Sequence, residues 1–534
     1  MGWDFINYKK SLMCDYFGLY PYLASFMGLE EYYHIPGELS SGMIKETGLF
    51  IDKYRKELDK HRYSIRTARE LYEADLIDWN LGKINHGVFS EREYETDPFS
   101  YFNHLDYSVF LKLTGKEPDY IAKCIVKRIE GYPGVLYFME NTLNKASKPA
   151  LDVFHNSIAG LKHSLETDLK RLSAECRQKT VKEELDQAAD KAMSVIERML
   201  GLVKDLQINN TTPYSIGTKR LEELIYYYEL EKEDLSSLLK KGEREVESLK
   251  ARVREIMPGS SLQDAYENFL GSFPGEQEVL PMIEKILGDI SDFIRERDIV
   301  DLYDLDTLKV EKMPPYFEWA SAMMSTPGPF VKHRQDSHFY VTLPKKDWSQ
   351  SQKEEFLRNF NPYLLENLSI HEALPGHFLH GMHANRIDND IIKISYGYGF
   401  SEGWAHYCEE MMLEEGFRKG DPGGEMAKIR EQMLRLVRLI SSIRMHTGTM
   451  SLEESRDMFS SLCFLDEESA RNEALRGTHD PGYLLYTYGK WKVKELREKT
   501  GGKSNLKEFH KKLLSLGCPP LGLMEKYFGQ IIYF

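Results

Sequence analysis

The stretch His371-Glu372-Ala373-Leu374-Pro375-Gly376-His377 decides how the rest of the chain is read. Glu402-Gly403-Trp404-Ala405-His406-Tyr407 follows on a second apolar segment, with Glu402 25 residues beyond His377. Neutral imidazole and carboxylate are the ligands of catalytic zinc sites. In the usual helical arrangement two histidines four residues apart share a face, and a glutamate between them reaches the metal-bound water as general base. Here the histidines are six apart. On a continuous helix six residues turn the second ring about 240° from the first, so the pair cannot hold one ion. Pro375-Gly376 offers the remedy. Proline at 375 lacks the N–H that would bond the His371 carbonyl, and its ring crowds that carbonyl. Glycine accepts dihedrals that other residues avoid. The sequence therefore predicts a distorted helix in which two residues loop out and His377 returns to the face of His371.

On this reading His371, His377 and Glu402 are the expected ligands of a Zn²⁺ ion, and Glu372 is the expected general base. His406 and Glu409 lie one and two turns beyond Glu402 on the same face. They are expected behind the ligands, where Glu409 either accepts from a ligand imidazole or forms a surface ion pair. Two rival pairs, His377 with His380 and His380 with His383, have i, i+3 spacing but leave Glu372 without a role. An oxyanion at the reacting carbon needs a donor besides the metal. Tyr486 and His446 lead the candidates, with Tyr483 and Tyr488 beside them. Arg444, Arg471 and Arg476 are candidate partners for a substrate carboxylate, each equally readable as a structural ion pair.

Composition sets the class. The chain has 534 residues, 42% hydrophobic and 29% charged, enough for a large core. No apolar run approaches the length of a membrane span. Met1-Gly2-Trp3-Asp4-Phe5 does not read as a secretory signal, and six cysteines without paired spacing suit reduced thiols. A cytoplasmic protein without membrane attachment is expected. The formal net charge of −14 disfavours nucleic acid as a partner and leaves a peptide or small-molecule substrate.

Organisation follows from periodicity. Thr67–Trp79 reads as helix, with turns at Asp97-Pro98 and Gly131-Tyr132-Pro133-Gly134. Between Ala150 and Leu206, Leu151, Phe154, Ile158, Leu161, Leu165, Leu169 and Leu172 mark amphipathic helix in two or three pieces. Residues 217–256 read as helix joined at Lys240-Lys241-Gly242. Thr307–Glu311 reads as a strand stopped by Met313-Pro314-Pro315. His338–Leu343, with Tyr340 at its centre, is the best strand. As a sheet edge it would pair with an extended peptide, which makes Tyr340 a candidate substrate contact; the alternative is a structural hairpin. Helix is expected over Ser401–Glu415 with Gly416 as C-cap, and again along Met426, Ile429, Met433, Val437, Ile440 and Ile443. Asp421-Pro422-Gly423-Gly424 and the Tyr483–Tyr488 segment read as loops. The chain divides into a mainly helical region 1–300 and a catalytic region 301–534.

The two central motifs resemble those of domain-of-unknown-function family 885, a prokaryotic family related to the thermolysin-like (gluzincin) zinc metallopeptidases. Arg444-Met445-His446-Thr447-Gly448, Ala470–Arg476, Pro481-Gly482 and Tyr486-Thr487-Tyr488-Gly489 are similar to further blocks of that family. The resemblance implies a mainly α fold: a large helical metallopeptidase-like body with a deep cleft and a small β-sheet beside the active-site helix. It implies likeness to thimet oligopeptidase, dipeptidyl peptidase III and the helical zinc carboxypeptidases. The motif of dipeptidyl peptidase III also carries an extra residue between its histidines. A zinc peptidase acting on oligopeptides is the leading expectation. A hydrolase of another amide or ester, and a metal-binding protein without catalysis, are the alternatives.

Overall fold

In the computed structural model, residues 3–531 are described, apart from Asn209, Pro315, Tyr316 and residues 318–320. The fold is mainly α with one three-stranded sheet. It divides into two compact units: Met1–Tyr214 with Pro314–Trp319 and Pro327–Asp336, and Ser215–Met313 with Ala320–Thr326 and Ser337–Phe534. No helix among the described residues is long and apolar enough to cross a membrane.

The first unit is built on helices that the apolar spacing foretells. Thr67 caps Ala68–Asn85 through a reciprocal capping box with Glu70. The long amphipathic run is two helices, Lys148–Glu175 and Lys179–Gln207. Leu151, Phe154, Ile158, Leu161, Leu165 and Leu169 on the first face Val181, Leu185, Ala192, Ile196 and Met199 on the second within one buried cluster. Each fully buried Leu, Ile or Phe contributes about 1.5–3 kcal/mol against leaving it in water. The expected turn at Gly131–Gly134 is instead a junction. Pro118–Glu130 ends there, and Tyr132–Thr142 begins with Pro133 in its first turn, where a missing N–H costs nothing.

The second unit corrects several expectations. The join within 217–256 lies at Leu230–Asp234, where Leu230 is left-handed and Asp234 caps Leu235–Ile256. Lys240-Lys241-Gly242 is inside that helix. Gly242 is there for proximity: a Cβ would lie 3.0 Å from Leu439 on helix Pro422–His446. Asp421-Pro422-Gly423-Gly424 is not a loop, because Asp421 accepts from Gly423 N–H and Pro422 opens that helix. Gly416 ends helix Tyr398–Glu414 with φ +102°, as expected of a C-cap.

Strands β1 (Leu308–Lys312), β2 (Ala322–Ser325) and β3 (Ser337–Val341) form a sheet of order β1-β3-β2. β1 pairs with β3 in parallel, Leu308 opposite Ser337, and β2 pairs with β3 antiparallel, Ala322 opposite Val341. The sequence missed β2. The strand read as a peptide-holding edge is therefore the central one, with both sides already hydrogen-bonded. Of the motif that stops β1, Pro315 lies outside the described residues.

Helices Tyr398–Glu414 and Leu485–Lys499 meet through bare backbone. A Cβ on Gly403 would lie 2.4 Å from the Gly489 carbonyl carbon, and one on Gly489 would lie 1.9 Å from Gly399 O. Only glycine at both positions allows this approach. Gly489→Ala is predicted to lower unfolding stability by about 3 kcal/mol or more, because backbone must move on both sides. Gly288→Ala is the control: it lies in helix Val279–Arg297 with nothing within 4 Å of the added carbon, and should gain about 0.5–1 kcal/mol. Urea unfolding of the two variants measures the contrast.

Candidate metal centre

Helix Pro362–Glu372 stops at Glu372, and a new helix, His377–Arg386, starts after four intervening residues. The distortion predicted at Pro375-Gly376 is thus a complete break, with the Leu374–Pro375 peptide in cis. Two backbone bonds span it at i to i+6 spacing. Gly376 N–H donates to Ile370 O at 3.0 Å and Leu379 N–H to Ala373 O at 3.2 Å. An α-helical bond spans four residues, so each of these absorbs two extra residues, the number by which His371 and His377 exceed the usual spacing. Gly376 is required by close approach, since a Cβ there would lie 1.8 Å from His371 O. The buried Trp404 indole N–H donates to Pro375 O at 2.9 Å and ties the break to the helix that carries Glu402.

This geometry brings the three expected ligands together. Ligand atoms of His371, His377 and Glu402 all lie within 4.8 Å of one another. Glu402 Oε2 is 3.5 Å from His371 Nε2 and 3.4 Å from His377 Nε2. Four ligands about 2.0–2.1 Å from a tetrahedral ion are about 3.3–3.4 Å apart, so both spacings suit such an ion. Glu402 Oε2 is buried and has no hydrogen-bond donor among the described residues, an expensive arrangement for a carboxylate oxygen unless a cation meets it. The donor set of two imidazoles and one carboxylate matches that of catalytic zinc.

Behind His371 stands Glu409, fully buried. Its Oε1 accepts from His371 Nδ1 at 2.7 Å, so that in the neutral ring Nε2, which faces Glu402, is the nitrogen with the lone pair. Glu409 is held in turn by Arg435 at 3.2 Å and by His406 Nδ1 at 3.3 Å. Burial pushes its pKa up, but Arg435, His406 and His371 outweigh that and hold it well below the usual carboxylate range. Glu402 is likewise held low against burial by His377 and His371. Burial disfavours a charged His371, yet Glu402 and Glu409 prevail and raise it to about 9. The two carboxylates favour positive charge at His371, and a metal ion at Nε2 would stand where that proton sits. His406 is kept neutral, with burial lowering its pKa to about 4.

Glu372 ends its helix on this break, 8% exposed, and its carboxylate makes no hydrogen bond to another described residue. Tyr486 is brought to the same place, its ring stacked 6.2 Å from that of His371 at 8°. It lies in the first turn of helix Leu485–Lys499 and not in a loop. Its hydroxyl accepts from Arg476 Nη2 at 3.1 Å, and Arg438 lies 4.9 Å over the ring. Arg476 also donates to Tyr398 and pairs with Asp480, and Arg438 grips Glu473 through two bonds.

The other candidates lie elsewhere. His446 is fully buried and donates from Nε2 to Gly477 O at 2.7 Å. Arg444 pairs with Glu243 and Arg471 is exposed. Tyr483 is sealed against Gly477, and Tyr488 donates to Glu233 at 2.7 Å. Tyr340 is 5% exposed on β3 and stacks on His338. The rival pairs dissolve: His380 donates to Gly517 O and His383 to Asp301 O, each at 3.0 Å. Sequence reading missed Arg435, Arg438 and Tyr398. No sequence signal separated the arginines from a solvated face, since the helix that carries Arg435 and Arg438 also carries Glu425, Lys428, Glu431 and Arg444.

The family described as "Bacterial protein of unknown function (DUF885)" matches residues 21–527. Two solved structures share the fold. One, a candidate lipoprotein of unknown function from Shewanella oneidensis, has a TM-score of 0.81 and 20% identity, covering 98% of this chain and 99% of its own. The other, a candidate lipoprotein from Colwellia psychrerythraea, has a TM-score of 0.80 and 14% identity, covering 98% and 97%. No curated protein matches the chain.

Glu409→Ala removes the acceptor of His371 Nδ1 and takes from Arg435 one of its two carboxylates. If the cluster binds zinc, affinity measured by chelator competition is expected to fall about 10–100-fold. An unchanged affinity would mean that Glu409 does not orient His371.

Proposed function

The chain belongs to DUF885, a family of bacterial proteins of unknown function, and we propose that it is a zinc-dependent hydrolase acting on oligopeptides, akin to the gluzincin peptidases. One observation carries this reading: a buried Glu402 oxygen without a donor, flanked at 3.5 and 3.4 Å by two imidazole nitrogens. Zinc held by His371, His377 and Glu402 would polarise the scissile carbonyl and lower the pKa of a bound water to about 7.

The chain's own residues supply the rest. Glu409 fixes the His371 ring through Nδ1, so Nε2 keeps its lone pair. Glu372, without a competing partner, takes a proton from the attacking water at its carboxylate and passes it to the leaving nitrogen. Burial keeps the Tyr486 phenol protonated. Because Arg476 donates to the phenol oxygen, the phenol hydrogen points away and serves the oxyanion. His371 is 3% and Glu402 8% exposed, so a flexible peptide or small molecule reaches the centre more readily than a folded surface does. All six cysteines are free thiols, which suits the cytoplasm, where we place the protein. The relatives described as lipoproteins support a second location, at a membrane surface, and cell fractionation separates the two.

The purified chain is expected to contain one zinc per molecule and to cleave members of a peptide library. His371→Ala and Glu402→Ala should lose metal and turnover together. Glu372→Gln should keep the metal and lose at least about 100-fold in kcat, the scale of general-base catalysis. Full turnover by Glu372→Gln would overturn the proposed mechanism.

A further inference from the structure

The first unit buries a guanidinium, one edge of which has no hydrogen-bond partner among the described residues. Arg128, on helix Pro118–Glu130, is 1% exposed. Its Nη1 donates to Asp106 O at 3.0 Å, and its guanidinium carbon lies 5.4 Å over the Phe110 ring. Its Nε and Nη2 have no partner, and it forms no ion pair among the described residues. The Asp106 carboxylate acts on Arg128 through space and accepts from Ser108 N–H at 2.7 Å. A guanidinium cannot escape this cost by losing its proton.

Other buried donors lie close in sequence. The turn that supplies the Asp106 carbonyl also carries His104 and Ser108, 2% and 3% exposed. Both His104 ring nitrogens and the Ser108 hydroxyl lack partners. Burial and the neighbouring Arg128 lower the His104 pKa to about 3, so His104 contributes an N–H without adding a second charge. Half-buried Tyr22 packs on the His104 ring at 4.4 Å.

The unpartnered edge has a definite chemical preference. Nε–H and the adjacent Nη2–H point the same way and match two oxygens of one anion. Elsewhere in this chain the same edge does this: Arg438 holds Glu473, Arg418 holds Glu366 and Arg252 holds Glu425, each through Nε and Nη2. We propose that the first unit contains a buried oxyanion site, in which the Nε–Nη2 edge of Arg128 grips two oxygens of a compact carboxylate or phosphate-type anion, with His104 nearby. The site is separate from the His371–His377–Glu402 cluster and does not depend on the function assigned to it.

Two measurements on the full chain test it. Thermal unfolding in phosphate or acetate is expected to lie about 2–4 °C above that in chloride of equal ionic strength, and Arg128→Met should abolish the difference. Crystals of the wild-type chain soaked in selenate should show an anomalous peak within hydrogen-bond distance of Arg128 Nε and Nη2. Displacement by acetate assigns a carboxylate-type ligand, and displacement by phosphate alone a phosphate-type one. No peak at Arg128 overturns the site whatever the melting data show, and this arm stands even where Arg128→Met does not fold.

Discussion

At Gly403 and Gly489 two helices of the second unit meet with no side chain between them, and the geometry of the metal centre depends on that contact. Glu402 immediately precedes one glycine and Tyr486 lies one turn before the other. A side chain at either position would separate the helices by the width of a methyl group or more, carrying Glu402 and Tyr486 apart. Buried Glu229 anchors the start of the same Glu402 helix. Its two oxygens accept from Gly399 N–H at 2.6 Å and Leu521 N–H at 3.1 Å. A carboxylate at a helix N-terminus is also favoured by the helix dipole.

The broken helix is the second constraint. A continuous helix would place the His371 and His377 rings on different faces. The break turns them to 4.9 Å between centroids, nearly perpendicular at 87°. The Trp404 indole joins the break to the Glu402 helix, so all three side chains belong to one rigid set. Behind them a chain of contacts runs from the His371 imidazole to Glu409, Arg435 and Glu431, with Arg435 holding both carboxylates ionised. Such a chain is costly to build and costly to interrupt, so it holds His371 in one orientation.

The sequence revealed these features unevenly, for physical reasons. His371, His377, Glu402 and Glu409 were legible because ligand chemistry restricts residue type and helices restrict spacing. Pro375-Gly376 announced the break because both residues have strong local preferences. The buried arginines 435 and 438 were not legible, since charge on a helix reads as a solvated face until tertiary contacts bury it. Gly242 and Gly489 read as turns or neutral positions, because a glycine kept for close approach looks the same in sequence as one kept for its dihedrals. The sheet failed at β2: Ala322-Met323-Met324-Ser325 has little strand propensity and owes its conformation to pairing with β3. The tyrosines near 486 could not be ranked because helix phase decides among them. Tyr486 faces His371, whereas Tyr488, two residues on, turns away to Glu233.

The central claim is that His371, His377 and Glu402 hold one ion across the broken helix. Anomalous diffraction at the zinc edge from crystals of the purified chain tests it most directly. The account predicts a single strong peak about 2.0–2.2 Å from His371 Nε2, His377 Nε2 and the nearer oxygen of Glu402. A peak at His380 or His383, or none at the Glu402 oxygen after soaking in zinc, would contradict it.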